Sequence, residues 1–246
     1  MKKNKQINYI HFQSIDSTNT WAKNNAVILD PDHITCITAH EQTSGRGSFQ
    51  KKWISPKGVN LYATYYFCIP PSSSYIPNLG QIFSISCCKM LKNFKFSPQI
   101  KWPNDILLEE KKVAGILCET IQLQKSLGVI LGIGLNINMT NQTLCEIDQK
   151  ATSLHLISNQ QWDIEKILDN LTSCFLEDLK TLESQGFQPF ASFYEESLAF
   201  KGEKVTIQDG SRLLSGSCHG ISPNGNLILL SDSEEKTEVF AGSMIY

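Results

Sequence analysis

Apolar residues recur at two spacings along this chain, and the switching between them predicts a mixed α+β fold. Residues 8–15, NYIHFQSI, alternate as a strand that ends at Asp16. The next stretch, 16–29, puts Trp21, Ala22, Ala26 and Leu29 on one helical face, with Asp16 or Ser17 available as the cap. HITCITAHE, 33–41, returns to strand alternation. GVNLYATYYFCI, 58–69, is a longer strand, rich in aromatic and β-branched residues. Helical spacing recurs over 78–94, where Leu79, Ile82, Phe83 and Ile85 precede Cys87, Met90 and Leu91. Four strand-like runs follow, at 99–103, 105–110, 111–123 and 126–138, with EEKK at 109–112 as a hairpin tip. Residues 163–185 form an amphipathic helix that Gly186 ends.

From about Lys201 the pattern changes to strand alternation broken by D-G and N-G turns. That predicts a β-barrel of roughly 45 residues, too small to be more than a satellite. The expected division is therefore 1–198 for the main body and 199–246 for the barrel.

Composition narrows the function classes. The chain has 246 residues, a net charge of -2 and a hydrophobic fraction of 41%, values of a soluble globular protein without a basic field for nucleic acid. The N-terminal MKKNKQINYI lacks the apolar core of a signal peptide, and no run is long enough to span a membrane, so a cytoplasmic protein is expected. There is no C-x-x-C pair among the eight cysteines, and the five histidines are scattered. Buried reduced thiols are expected, without a zinc site.

Four stretches could carry chemistry. Gly45-Arg46-Gly47 places one cation between two residues able to adopt left-handed backbone, so the loop 43–52 can close on an anion, or be a solvated turn. In KWPND, 101–105, Pro103 interrupts a strand and either aims Asn104 and Asp105 off its end or makes a turn with Trp102 in the core. Lys112 enters an apolar strand and either faces an anion or reaches solvent. GIGLNIN, 132–138, has glycines where something approaches closely, without a dinucleotide or Walker fingerprint. DSTN at 16–19 is by itself a helix cap.

The order of these blocks says more than any one of them. D-S-T-N, then E-Q-T-x-G-R-G…W…S-P-x-G-x-N-L-Y, then K-W-P-N-D-I…K-x-A-G-I-L-x-E, then G-I-G-x-N-x-N resembles the biotin–protein ligase family over nearly the whole chain. The resemblance implies a mixed-sheet catalytic domain with packed helices plus an SH3-like barrel, in a short form without a DNA-binding extension. It implies ATP- and Mg²⁺-dependent attachment of biotin, through biotinyl-5′-adenylate, to a lysine of a carrier protein. The implied partner is the biotin carrier domain of acetyl-CoA carboxylase or another biotin-dependent carboxylase, with no DNA and no membrane. Monomer and homodimer are both open.

By the same resemblance, Ser17, Thr18, Asn19, Gln42, Gly45, Arg46, Lys112 and Gly115 would bind biotin. Arg46, Ser48, Trp53, Lys101, Asn104, Lys112 and Asn136 would line the ATP or adenylate site, with Trp53 packed on adenine. Lys112 and Arg46 would act on the reacting carboxylate and phosphate, and Asp105 would orient the acceptor amine or take its proton. No protein ligands to the metal are assigned. One departure stands out: the family loop commonly reads G-R-G-R-x-G, and here Ser48 and Gln50 replace an arginine and a glycine. The adenylate should therefore be held by one cation fewer.

Three other readings compete. A lipoate or octanoate ligase would share the fold but usually carries R-R-x-S-G-G-G, which is absent. A module that only sequesters biotin or a carrier would not need Arg46, Lys101, Asp105 and Lys112 together. A DNA-binding regulator would need the missing extension.

Overall fold

The computed structural model describes residues 6–48, 51–145, 147 and 150–245. In chain order the elements are β1 (Ile7–Phe12), α1 (Thr18–Asn25), β2 (Ile34–Ala39), β3 (Leu61–Ile69), α2 (Leu79–Asn93), β4 (Gln99–Lys101), β5 (Asp105–Leu108), β6 (Lys111–Gln122), β7 (Leu127–Leu135), α3 (Asn141–Leu144), α4 (Leu154–Ser158), α5 (Ile164–Gln185), α6 (Ala191–Glu196), β8 (Lys204–Asp209), β9 (Arg212–Ile221), β10 (Leu227–Leu230), β11 (Lys236–Val239) and β12 (Ser243–Ile245). The chain divides into two compact units, one of residues 1–74 and 111–168, the other of 75–110 and 169–246.

In the first unit the strands run in the order β1-β2-β3-β7-β6. β1 and β2 are parallel and the remaining pairs antiparallel, so this is a mixed sheet. A parallel pair needs a crossover, and α1 supplies it. Ala22 and Ala26 of α1 are fully or almost fully buried against Ile37, Tyr66 and Ile130. Two alanines on that face let the helix come close to the sheet, and the Tyr66 hydroxyl donates to the Ala26 carbonyl at 2.8 Å. β3 is buried at nearly every position, on both faces, as a continuous apolar run in a central strand should be.

In the second unit, α2 buries almost its whole length, and Phe83 meets Phe175 of α5 edge-on at 4.9 Å. The buried carboxylate of Asp178 accepts from Ser86 Oγ and pairs with Lys89, so it is not left uncompensated. β4 and β5 form a hairpin in which Lys101 faces Asp105 across the Trp102–Pro103 turn. Trp102 is core, as the turn reading of KWPND expects, and its Nε1 donates to the Gly225 carbonyl at 3.3 Å. β8 to β12 make a five-stranded antiparallel sheet in the order β11-β10-β9-β8-β12, consistent with an SH3-like barrel. Gly210 and Gly225, the glycines of the D-G and N-G turns, both take positive φ.

The expected cut lies between 198 and 199 and this sheet begins at Lys204, whereas the compact units group the sheet with α2, β4, β5 and α6. Gln81 of α2 donates to the carbonyl of Gly225 and Asn78, just before it, to that of Asn224, contacts far apart in sequence. The periodicity also misses α3, α4 and α6, which are too short to show a period. α4 is defined by its ends: the Ser153 side chain accepts from Leu156 N–H, and Asn159 closes the helix in left-handed backbone.

All eight cysteines are free thiols, and burial pushes Cys36 and Cys87 up to about 12. Among the described residues no helix is long and apolar enough to cross a membrane.

Candidate functional site

Residues paired across strands share a face of the sheet. The registers of β3, β7 and β6 therefore line up three rows: Tyr62–Gly134–Gly115, Thr64–Gly132–Leu117 and Tyr66–Ile130–Glu119. Successive rows lie about 6.6 Å apart, two residues of strand rise. Glycine stands in the middle of the first two rows, so the sheet there offers bare backbone.

Over the second row lies the start of α1. The Ser17 side chain caps the helix by accepting from Thr20 N–H, which brings Thr18 and Asn19 into the first turn, both buried. Asn19 rests so closely on Gly132 that a Cβ there would meet Oδ1 at 2.1 Å. Its Nδ2 donates to the Leu117 carbonyl at 3.3 Å and to Glu119 Oε2 at 3.2 Å, while Oδ1 lies 2.6 Å from Thr64 Oγ1. Thr18 donates from both its backbone N–H and its hydroxyl to Gln42 Oε1, at 2.9 and 3.1 Å. Gln42 Nε2 donates to Ser55 Oγ at 3.0 Å, and Ser55 donates on to the Trp53 carbonyl. An unbroken neutral network thus ties the helix start to the glycine loop.

That loop is clipped at its base and hydrogen-bonded to itself. Thr43 and Ser44 donate to the carbonyls of Ile15 and Asp16, Gly47 to that of Lys51, and Trp53 to that of Gly45. Phe49 and Gln50, and with them the departure at position 50, lie outside the described residues. Neither Gly45 nor Gly47 takes the left-handed backbone expected of it. Gly45 is demanded by crowding instead: a Cβ would meet the Trp53 carbonyl at 2.5 Å and Ser55 Oγ at 2.6 Å.

The indole of Trp53 lies over the first row. A Cβ on Gly134 would meet its Cε2 and Nε1 at 2.3 Å, and one on Gly115 its Cζ3 at 2.9 Å. Nε1 is buried and has no hydrogen-bond partner among the described residues. Lys112 Nζ stands 5.3 Å from the indole centroid and 3.2 Å from where a Gly115 Cβ would be. The glycine pair thus seats the Trp53 indole, with the Lys112 cation beside it.

Over the third row, Arg46 Nη2 donates to Glu119 Oε1 at 3.0 Å, and Lys23 Nζ lies 3.6 Å from the same oxygen. Burial alone would raise the Glu119 carboxyl, but hydrogen bonds from Asn19 and Arg46, with the charges of Arg46 and Lys23, outweigh it and hold its pKa below the ordinary value.

The remaining expected residues are placed as follows. Asn136 is buried; its Nδ2 donates to the Thr152 carbonyl at 3.1 Å, and its Oδ1 faces Asn60 Nδ2 at 3.5 Å. Ser48 accepts the Lys51 N–H on its carbonyl, at the turn of the loop. Lys101, Asn104 and Asp105 belong to the β4–β5 hairpin of the second unit. Among the described residues no three His, Cys, Asp or Glu side chains form a metal-binding group. Thr64, Ser55 and Glu119 complete the site but are not in the expected set. Glu119 and Ser55 were the visible ones, as the last letter of K-x-A-G-I-L-x-E and the first of S-P-x-G-x-N-L-Y; nothing local marks Thr64.

A profile of the biotin/lipoate A/B protein ligase family matches residues 11–136. The chain is 29% identical over 239 residues to the biotin–[acetyl-CoA-carboxylase] ligase of Paracoccus denitrificans, covering 92% of this chain and 98% of that one. It is 27% identical over 224 residues to the bifunctional ligase/repressor BirA of Escherichia coli, covering 89% of this chain and 68% of BirA. The structure is similar to that of biotin protein ligase from Aquifex aeolicus in complex with biotin and ATP, with a TM-score of 0.82, 28% identity and 97% of each chain covered.

Proposed function

Because the chain belongs to the biotin/lipoate A/B protein ligase family, we propose that its glycine-floored site carries out ATP-dependent attachment of biotin to a lysine of a carrier protein. In the first step a biotin carboxylate oxygen attacks the α-phosphorus of ATP, and pyrophosphate leaves. In the second, the neutral amine of the acceptor lysine attacks the carbonyl of the mixed anhydride. An amide forms, AMP leaves and the amine loses a proton.

The observation that carries this reading is the placing of Lys112 beside the Trp53 indole, which is seated on Gly115 and Gly134. Two anions must be brought together in the first step, so a cation aimed at the developing charge lowers the barrier. The Thr18–Gln42–Ser55 chain can fix a neutral polar head group, since its members already hold one another in place. Mg²⁺ would be held by the ATP phosphates, a donor set that suits it without a protein cage, and would neutralise the leaving pyrophosphate.

The acceptor we infer is the biotin carrier domain of acetyl-CoA carboxylase or another biotin-dependent carboxylase, in the cytoplasm, where ATP is available. Asp105 as the group that handles the acceptor proton is a separate proposal, checked by single-turnover transfer with Asp105→Asn.

The deciding experiment is ATP–pyrophosphate exchange with biotin, lipoate and octanoate in parallel. Exchange that depends on biotin supports the reading. Exchange with lipoate or octanoate alone makes the protein an acyl ligase of the same family, and exchange with none of the three leaves a binding module.

A further inference from the structure

The three rows of the sheet act as a ruler, and they separate the two cations expected to share one job. Lys112 Nζ stands at the Gly115 row, and the Arg46 guanidinium at the Glu119 row. Gly115 and Glu119 are four residues apart on β6, about 13 Å at strand rise. As they stand, the two cations are held at different rows of the sheet.

We infer that Arg46 and Glu119 form a latch that holds residues 43–48 beside Thr18, Asn19 and Gln42, with Glu119 as a positioning residue, and that Lys112 rather than Arg46 faces the reacting carboxylate and phosphate. This rests on the ligase reading given above, and it reassigns Arg46.

Glu119 is built to be an anchor. Its Oε2 is tied to Asn19 Nδ2 at 3.2 Å, and Asn19 is itself fixed by the Leu117 carbonyl, Thr64 and its close seat on Gly132. The carboxylate is therefore oriented independently of Arg46 and turns its other oxygen, Oε1, to the loop. Its side chain is 17% exposed, against 43% for Arg46, so the buried partner is the fixed one and the exposed partner the one that engages it.

Arg46 and Lys23 share the one Glu119 carboxylate, so the charge of the guanidinium is partly offset where it stands. The guanidinium has five N–H donors, of which one is engaged here. The others can meet a polar neutral group beside Thr18, Asn19 and Gln42. Release of the pair would free the loop at the Arg46 end while its base stays clipped to Ile15 and Asp16.

The test compares wild type with Glu119→Gln, Arg46→Gln and the double variant, each first checked to be folded at the assay temperature by cooperative thermal unfolding above it. Arg46 is exposed enough that its replacement leaves the core intact. In pyrophosphate exchange, Glu119→Gln should raise KM for biotin roughly five- to tenfold, the size of one ordinary hydrogen bond. Its kcat should stay within about twofold, unlike the large kcat loss of a reaction-centre cation. The double variant should be no worse than Arg46→Gln alone, because the two side chains share one function. A fall in kcat at unchanged KM, or additive effects in the double variant, would overturn the latch.

Hydrogen exchange at the amides of Gly47 and Trp53 gives a second readout that needs no ligand. Both should exchange faster in Glu119→Gln, and unchanged protection overturns the proposal. If wild type supports no biotin-dependent exchange, the ligase reading fails, and these amides still decide whether the latch exists.

Discussion

The indole of Trp53 lies so close to the backbone of Gly134 that a single methyl group on that glycine would fall 2.3 Å from two ring atoms. Gly134 has no positive φ, so alanine strains nothing in the strand, and it is the loop-borne indole that must move. Gly134→Ala should fold, with stability lowered by about 1–3 kcal/mol through overpacking. Trp53 should move outward and binding of both ATP and biotin should weaken. Tryptophan fluorescence compared with that of Trp53→Phe checks the displacement: a red shift in Gly134→Ala that is absent when Trp53 is already replaced is the expected result.

Lys112→Ala separates reaction from folding. The contact of Nζ with the indole is worth about 0.5–1 kcal/mol at a partly exposed site, too little to unfold the unit. Loss of a cation acting on the developing charge costs about 2.7–4 kcal/mol, or 10²–10³ in rate. Pyrophosphate exchange should fall by that factor with the thermal midpoint nearly unchanged. Activity within twofold of wild type would make Lys112 a surface lysine.

Ser48→Arg restores the charge that the family loop commonly has. One added, partly exposed cation is worth up to about 1 kcal/mol, so release of the biotinyl-adenylate should slow by up to roughly fivefold. Biotinylation of bystander lysines should drop in parallel. Equal release from the two proteins would mean that Lys51, Lys52 or Mg²⁺ already supplies that charge.

The Glu119 carboxyl is held below its ordinary pKa, by hydrogen bonds and charges that outweigh its burial. A depressed carboxylate stabilises the folded state at pH values above its unfolded pKa, and the contribution is lost as pH falls through the folded value. The stability gap between wild type and Glu119→Gln should thus be full at neutral pH and close in acid, below the ordinary glutamate range. Urea unfolding of both proteins from about pH 3 to pH 7 measures it. A gap that does not change with pH would mean that the carboxylate's charge is not what holds the site.

Much of this protein was determined by the sequence alone, because the signals involved are local. The alternation in 33–41 and 58–69, the helical spacing of 78–94 and the glycines of the 209–210 and 224–225 turns follow from backbone geometry within a few residues. The blocks from DSTN to GIGLNIN are each ambiguous alone, and it is their order along the chain, which the sequence also displays, that carries the family resemblance. Only the tertiary structure decided the site's wiring. Which glycines face each other depends on the register of β6 against β7, and a slip of one residue would turn both to the other face. Glu119 meets Arg46 across 73 positions and Asn19 across 100, separations that no local pattern encodes. The placing of Lys112 and Arg46 at different rows is likewise a property of the sheet, since their order in the chain says nothing about distance along a strand.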